Sequence, residues 1–303
     1  MPIKYLQRKD IDISKYNACL DNSKESLLYG YSWYLDIVCD QWDCLVLDDY
    51  VAVMPIPWRK KYFIKYVYPP LWLLQLGVFS SKEHVSEIEF ITELESRFKF
   101  IELRLNASNY NEKLIPKCRD NQFQVLDLNV SHQIISKKFN RNRKRELKKA
   151  SQYFLSEKWN DDPKNLILLF KNNVGKRLNN IQDKDYENLQ RLMDSSIAKG
   201  VGELLSIYDK EDRLVASGFF LFHKGKVTEL VCSTDFSNRD NGANTFLIDR
   251  AIFKYQNKYD VFNFGGSSME TIAKYYKSFG AKTIQYPFLK VNKLPFFLRL
   301  LKA

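Results

Sequence analysis

Along the chain, apolar positions alternate between two spacings: every second residue, and every third or fourth. Tyr31, Tyr34, Leu35 and Val38 follow the helical spacing and predict a helix over 31–39. Two short apolar runs, 44–47 and 51–56, follow on either side of Asp48-Asp49 and predict a hairpin. A helix over 82–97 and strands over 100–105 and 123–128 complete a first mixed α/β part.

The second part opens with a long cationic helix predicted over 131–151, then helices over 163–174 and 183–199. Three strands follow in close succession, 203–208, 214–222 and 227–233, with tight turns at 209–213 and at Lys224-Gly225. A helix over 243–256, a strand over 261–264, a helix over 270–279 and a last strand over 283–291 close the chain. The break between the parts is expected near residue 130, giving modules 1–130 and 131–303.

Composition narrows the class without naming a chemistry. With 303 residues, 45% hydrophobic and 27% charged, the chain has enough apolar matter for a packed core. No apolar run is long enough to span a bilayer, and the N-terminus lacks the pattern of a secretory signal. The five cysteines show no paired spacing and the three histidines no metal-ligand spacing, so reduced thiols, a cytoplasmic setting and no metal are expected. His84, His132 and His223 read as structural or surface residues. A formal charge of +11 favours an anionic partner: a phosphorylated cofactor, a nucleic acid or an acidic membrane face.

The sharpest local signal lies between the third meander strand and the next helix. There Ser237, Asn238, Arg239, Asp240, Asn241, Gly242, Ala243 and Asn244 form a polar turn entering a helix. Main-chain N–H groups and the helix dipole at such a junction suit a pyrophosphate. Arg239-x-x-Gly242, followed by a helix, a strand and then Ala273 to Gly280, resembles the GNAT superfamily. That resemblance implies an acyl-CoA co-substrate held by residues 237–244. It also implies that Tyr276, four residues before Gly280, protonates the leaving thiolate. Asn244 stands where the motif usually has a small residue.

A second motif sits earlier. Residues 137–149 hold eight cations, among them Lys138, Arg141, Arg145 and Lys148 along one predicted helix face. Ile135, Phe139, Leu147 and Ala150 favour the other side. The run resembles the cationic helix of the Fem peptidoglycan aminoacyltransferases and their two-module, GNAT-like relatives. The closing Phe-Lys-x-x-Phe-Gly motif of those proteins corresponds to Tyr275-Tyr276-Lys277-Ser278-Phe279-Gly280, with tyrosine where the lysine belongs. The resemblance implies two α/β (α+β) modules, each a largely antiparallel twisted sheet flanked by helices. It also implies direct transfer to an amine or hydroxyl acceptor, including a lipid or cell-envelope precursor. Lys138, Arg141, Arg145, Lys148 and Lys277 would then bind the acceptor or phosphates, with aminoacyl-tRNA as the alternative donor.

No nucleophile–base arrangement for a covalent intermediate emerges, and Cys232 reads as packing. Direct transfer requires positioning, oxyanion donors and a base. By the GNAT resemblance the strand from Glu229 to Ser233 supplies the donors, and Glu229, Glu203 and Glu270 are the base candidates. The aromatic, basic run 58–72 suits either an acceptor groove or an ordinary strand, and the apolar tail 294–301 suits core docking or peripheral membrane contact. A non-catalytic nucleic-acid or membrane-surface binder on the same fold is the rival of another class.

Overall fold

The computed structural model describes residues 3–61, 63–82, 85–109, 118–178, 180–266 and 269–296. Its contacts divide the chain into two compact units, 1–121 with 285–303, and 122–284. This differs from the expected division at 130, because the C-terminal segment belongs to the first unit.

In the first unit, strands β1 (Ile3–Gln7), β2 (Gln41–Leu47), β3 (Ala52–Lys61), β4 (Ile64–Val67), β6 (Phe100–Arg104) and the later half of β13 (Lys282–Asn292) lie in that order, with β5 (Phe79–Ser80) paired to β3. All these pairings are antiparallel except β4 with β6. The predicted hairpin is present as β2 and β3. Helix α1 (Ile13–Asn22) is capped by the Asp12 carboxylate, which accepts from the Lys15 amide, and buries Tyr16, Cys19 and Leu20. Helix α2 (Ser32–Val38) matches its expected span, and α3 (Glu87–Arg97) starts later than expected. His84 and residues 297–301 of the apolar tail lie outside the described residues; Leu294 is buried and Phe296 exposed. The run 58–72 forms the end of β3, the β3–β4 turn, β4 and the segment after it.

In the second unit the strand order is β7 (Cys118–Asp127), β12 (Val261–Asn263), β11 (Lys226–Thr234), β10 (Leu214–His223), β9 (Gly202–Tyr208) and β8 (Ser156–Trp159). The β9–β10–β11 meander is antiparallel, and β11 with β12 is the parallel pair. Helices α6 (Pro163–Asn172) and α7 (Asp183–Ala198) cover one face with Leu166, Leu169, Phe170, Leu189, Leu192 and Met193. The other face carries the larger core. Helix α8 (Ala243–Tyr255) sets Leu247, Ile248, Ala251 and Ile252 against Leu205, Phe220, Val227 and Phe262.

The expected single helix over 131–151 is two helices, α4 (His132–Lys137) and α5 (Arg141–Gln152). Asn140 makes the break: its side chain accepts from the Arg143 amide at 3.0 Å, giving α5 its own cap. The buried Phe139 ring packs edge-on against Phe279 and anchors the corner. Helix α9 (Glu270–Lys277) ends at that corner, where the Asn140 amide donates to the Ser278 carbonyl. Among the described residues no helix is long and apolar enough to cross a membrane.

Candidate active site

The parallel ladder between β11 and β12 has only three partner pairs, ending at Thr228 opposite Asn263. Glu229 and Phe264 are the first residues beyond it. One strand further on, β7 continues the row, because the Phe264 amide donates to the Gln124 carbonyl. Gln124, Phe264 and Glu229 thus lie side by side across three strands, with the outer Cα atoms roughly 10 Å apart at ordinary strand spacing. Even-numbered residues of β7 from 124 onward are buried, so Gln124 shares its face with Leu126.

Both flanking side chains are buried polar groups with unmet bonding capacity. Glu229 is 3% exposed and Gln124 0%. Neither Glu229 oxygen, nor the oxygen or nitrogen of the Gln124 carboxamide, has a hydrogen-bond partner among the described residues. Each such group costs on the order of 1–3 kcal/mol when left unpaired. Burial pushes the Glu229 carboxyl up to about 7, against a smaller opposing effect of the neighbouring Cys232 thiol and Tyr276 hydroxyl. A carboxyl with that value exchanges protons at neutral pH. The register between β10 and β11 slips beside it: Phe219 faces Val231 and Phe220 faces Glu229, leaving Leu230 as the bulged residue. A bulge frees main-chain groups from the ladder next to Glu229.

Tyr276 packs on Phe264 with ring centroids 4.7 Å apart. Burial, and then the Glu229 charge, raise its hydroxyl well above the ordinary phenol value. The Cys232 thiol is likewise raised well above its ordinary value by burial and by Glu229, so it stays protonated. Of the other base candidates, Glu203 is taken by Lys254 and by the Tyr255 hydroxyl, and Glu270 pairs with Lys274 at 2.7 Å on the surface of α9.

Some amides around the turn 235–242 are answered by side chains of the chain itself. The Phe236 amide donates to the Asn173 side chain at 2.7 Å, Ser237 to Asp235 at 3.0 Å and Ala243 to Asn241 at 2.9 Å. The Arg239 guanidinium stacks on the Phe236 ring at 3.6 Å. Gly242 has φ 78°, and a Cβ there would collide with the Glu146 carbonyl of α5. The glycine therefore admits the α5 backbone. The Asn244 Nδ2 donates to the Tyr275 hydroxyl at 2.9 Å, while its Oδ1 is buried with no hydrogen-bond partner among the described residues. Of the amides over 237–244, those of Ser237 and Ala243 are engaged in this way, and Tyr275 is the tyrosine bonded to Asn244. Asp240 is exposed on this turn; of the Asn238 side chain nothing is described.

Arg143, one of the eight cations of 137–149, is 7% exposed. Its Nη1 donates to Thr245 at 2.6 Å and its Nη2 to Glu146 at 3.1 Å, and its guanidinium lies 4.3 Å from the Tyr275 ring centroid. Thr245 in turn donates to Glu146. This network locks α5 to α8 and holds Tyr275 beside Tyr276. Arg141, Arg145 and Lys148 are exposed on α5, while Lys138 is exposed in the corner before it. A Cβ on Gly280 (φ 86°) would lie 2.7 Å from that of Lys138, so the end of α9, with exposed Lys277, packs close against the Lys138 corner.

No family model and no curated protein matches the sequence. Solved structures do. FemX aligns at a TM-score of 0.65 with 10% identity, over 99% of each chain. The C-terminal domain of a lysylphosphatidylglycerol synthetase from Agrobacterium fabrum aligns at 0.61 with 9% identity, over 96% of this chain and 95% of that one. A tandem GNAT protein from the clavulanic acid biosynthesis pathway aligns at 0.56 with 8% identity, over 97% and 99%. At such identities the likeness speaks for the fold. The strand order, the three-pair parallel ladder and the helices on both faces make it plain: the chain has a Fem/GNAT-like fold.

Proposed function

We propose that this chain transfers an acyl group directly from an activated carrier to an amine or hydroxyl acceptor, with Glu229 as general base. The observation that carries the reading is the buried Glu229 carboxyl, lacking a hydrogen-bond partner among the described residues and raised to about 7, beside the Leu230 bulge. Glu229 takes the proton from the attacking acceptor. The main chain at the bulge faces the developing oxyanion. Tyr276 gives its proton to the leaving group. Gln124, which the sequence reading passed over, holds a polar group of the substrate from the opposite end of the row.

The carrier proposed is aminoacyl-tRNA, the alternative donor of the sequence reading. Two observations favour it. The segment 235–243 spends the amides of Phe236, Ser237 and Ala243 on its own chain's side chains, which weakens a pyrophosphate cradle. The cations exposed on α5 and at the corner before it suit a polyanionic carrier. The exposed cations Lys137, Lys138, Arg141, Lys144, Arg145, Lys148 and Lys277 would meet the phosphates of the tRNA. An acyl-CoA donor remains the second reading, favoured by the strand–turn–helix order at β11 and α8. The names of the neighbours, a lysylphosphatidylglycerol synthetase among them, support a lipid or cell-envelope precursor as acceptor.

Filter binding across a salt series tests the choice of donor. Tight tRNA binding with a steep salt slope, and no shift in melting temperature with coenzyme A, supports the proposal. A clear stabilisation by coenzyme A with weak, salt-insensitive tRNA binding overturns it in favour of the second reading.

A further inference from the structure

Charge is strongly segregated within the first unit. From Val51 to Lys82 the chain has no acidic residue, while Arg59, Lys60, Lys61, Lys65 and Lys82 are all cationic. Three of these flank the turn between β3 and β4. In the register of that hairpin Lys60 stands directly opposite Lys65, and like charges so placed repel. Neither is answered by a carboxylate among the hydrogen bonds and ion pairs described. Lys60 instead lies 5.6 Å from the Phe63 ring centroid, and Lys65 lies 4.0 Å from that of Trp58. Arg59, by contrast, is bound to Asp40 and stacked on Tyr68.

Phe63 sits at the turn with φ 64° and is 92% exposed. A phenylalanine has no polar handle to justify such a position, and a β-turn that needs a positive φ ordinarily takes glycine or asparagine. The sequence therefore keeps a large apolar ring exposed at the hairpin turn, with Lys60 beside it and Lys65 on the Trp58 ring further up the hairpin. Aromatic rings with lysines are the side chains that settle at a bilayer–water interface.

We infer that the β3–β4 turn docks on the surface of an anionic lipid bilayer, with Phe63 entering the interface and Lys60, Lys61 and Lys65 lying over lipid phosphates. A turn tip is the wrong shape for the grooves in which proteins stack single-stranded nucleic acid. Interfacial binding of this kind is reversible and depends on both apolar area and charge. The inference stands apart from the transfer reading, since no residue of the 122–284 unit takes part in it.

Co-sedimentation of the whole chain with vesicles of phosphatidylcholine containing about a third phosphatidylglycerol tests it. The wild-type chain is expected to bind these vesicles and not pure phosphatidylcholine, and to release as salt is raised. Phe63→Ser is expected to lower the partition about tenfold, and Lys60→Gln with Lys65→Gln about twenty-five-fold, near fivefold per lysine. Because the turn is exposed, no variant should melt below the wild type. Absent vesicle binding by the wild type, equal binding by the turn variants, or turn variants that lose tRNA affinity while keeping vesicle affinity would each overturn the inference.

Discussion

Glu229 titrates in the range where the protein is handled, so its protonation can be read in two ways. Its pKa in the folded chain, about 7, lies above the ordinary carboxylate value, so the folded state holds this proton more tightly than the unfolded state. Its contribution to stability is full below about pH 4.5 and is lost as pH climbs through about 7, a change on the order of 3 kcal/mol. Glu229→Gln should remove that slope from a plot of denaturation midpoint against pH. Transfer activity should rise over the same interval as the base ionises, and the variant should lose about 10² to 10⁴ in rate. Gly242→Ala should cost more than about 1 kcal/mol in urea unfolding, because φ 78° and the Glu146 carbonyl both oppose a side chain. Glu229 was legible as a carboxylate on the last meander strand. Gln124 was not singled out, although its even position beside Leu126 and Leu128 already placed it on the buried face. Its importance depends on β12 lying beside it, which no local pattern carries.

Helix boundaries show where local sequence competes with periodicity. The cationic run supports one helix over 131–151 by spacing, yet Asn140 offers its own side chain to the Arg143 amide and starts a second. Asn140→Ala should therefore cost about 1 kcal/mol, measured as a shift in denaturation midpoint. The exposed face of α5 is expected to act collectively. Arg141→Gln, Arg145→Gln and Lys148→Gln together should lower the salt slope of tRNA binding by about 2, near 0.7–0.9 per lost phosphate contact. The α7 span, the meander and α8 were read almost to the residue, since their apolar spacing is long and uninterrupted. Strand β8 escaped because Ser156, Glu157 and Lys158 are exposed with no alternation to see. Helix α1 also escaped, although its Asp12 cap and the spacing of Tyr16, Cys19 and Leu20 carry the signal.

For the molecule as a whole, the order of elements carried the fold, and the pairing of distant segments did not. The last strand was expected from its alternation, but nothing local says that its later residues pair with β6, which joins 285–303 to the first unit. The turn after β11 was found by composition, but the bonds from the Phe236, Ser237 and Ala243 amides to Asn173, Asp235 and Asn241 were not. Asn173 lies more than sixty positions before the residue it caps, a contact only the fold can supply. In the proposed reaction the buried Glu229 carboxyl drives direct acyl transfer. The most direct test follows radiolabelled aminoacyl groups from charged tRNA to a panel of amine, hydroxyl and lipid acceptors, with acetyl-CoA run in parallel. Transfer that rises through about pH 7 and fails in Glu229→Gln is predicted; label that stays on both carriers with the wild-type chain, or moves equally with the variant, would contradict it.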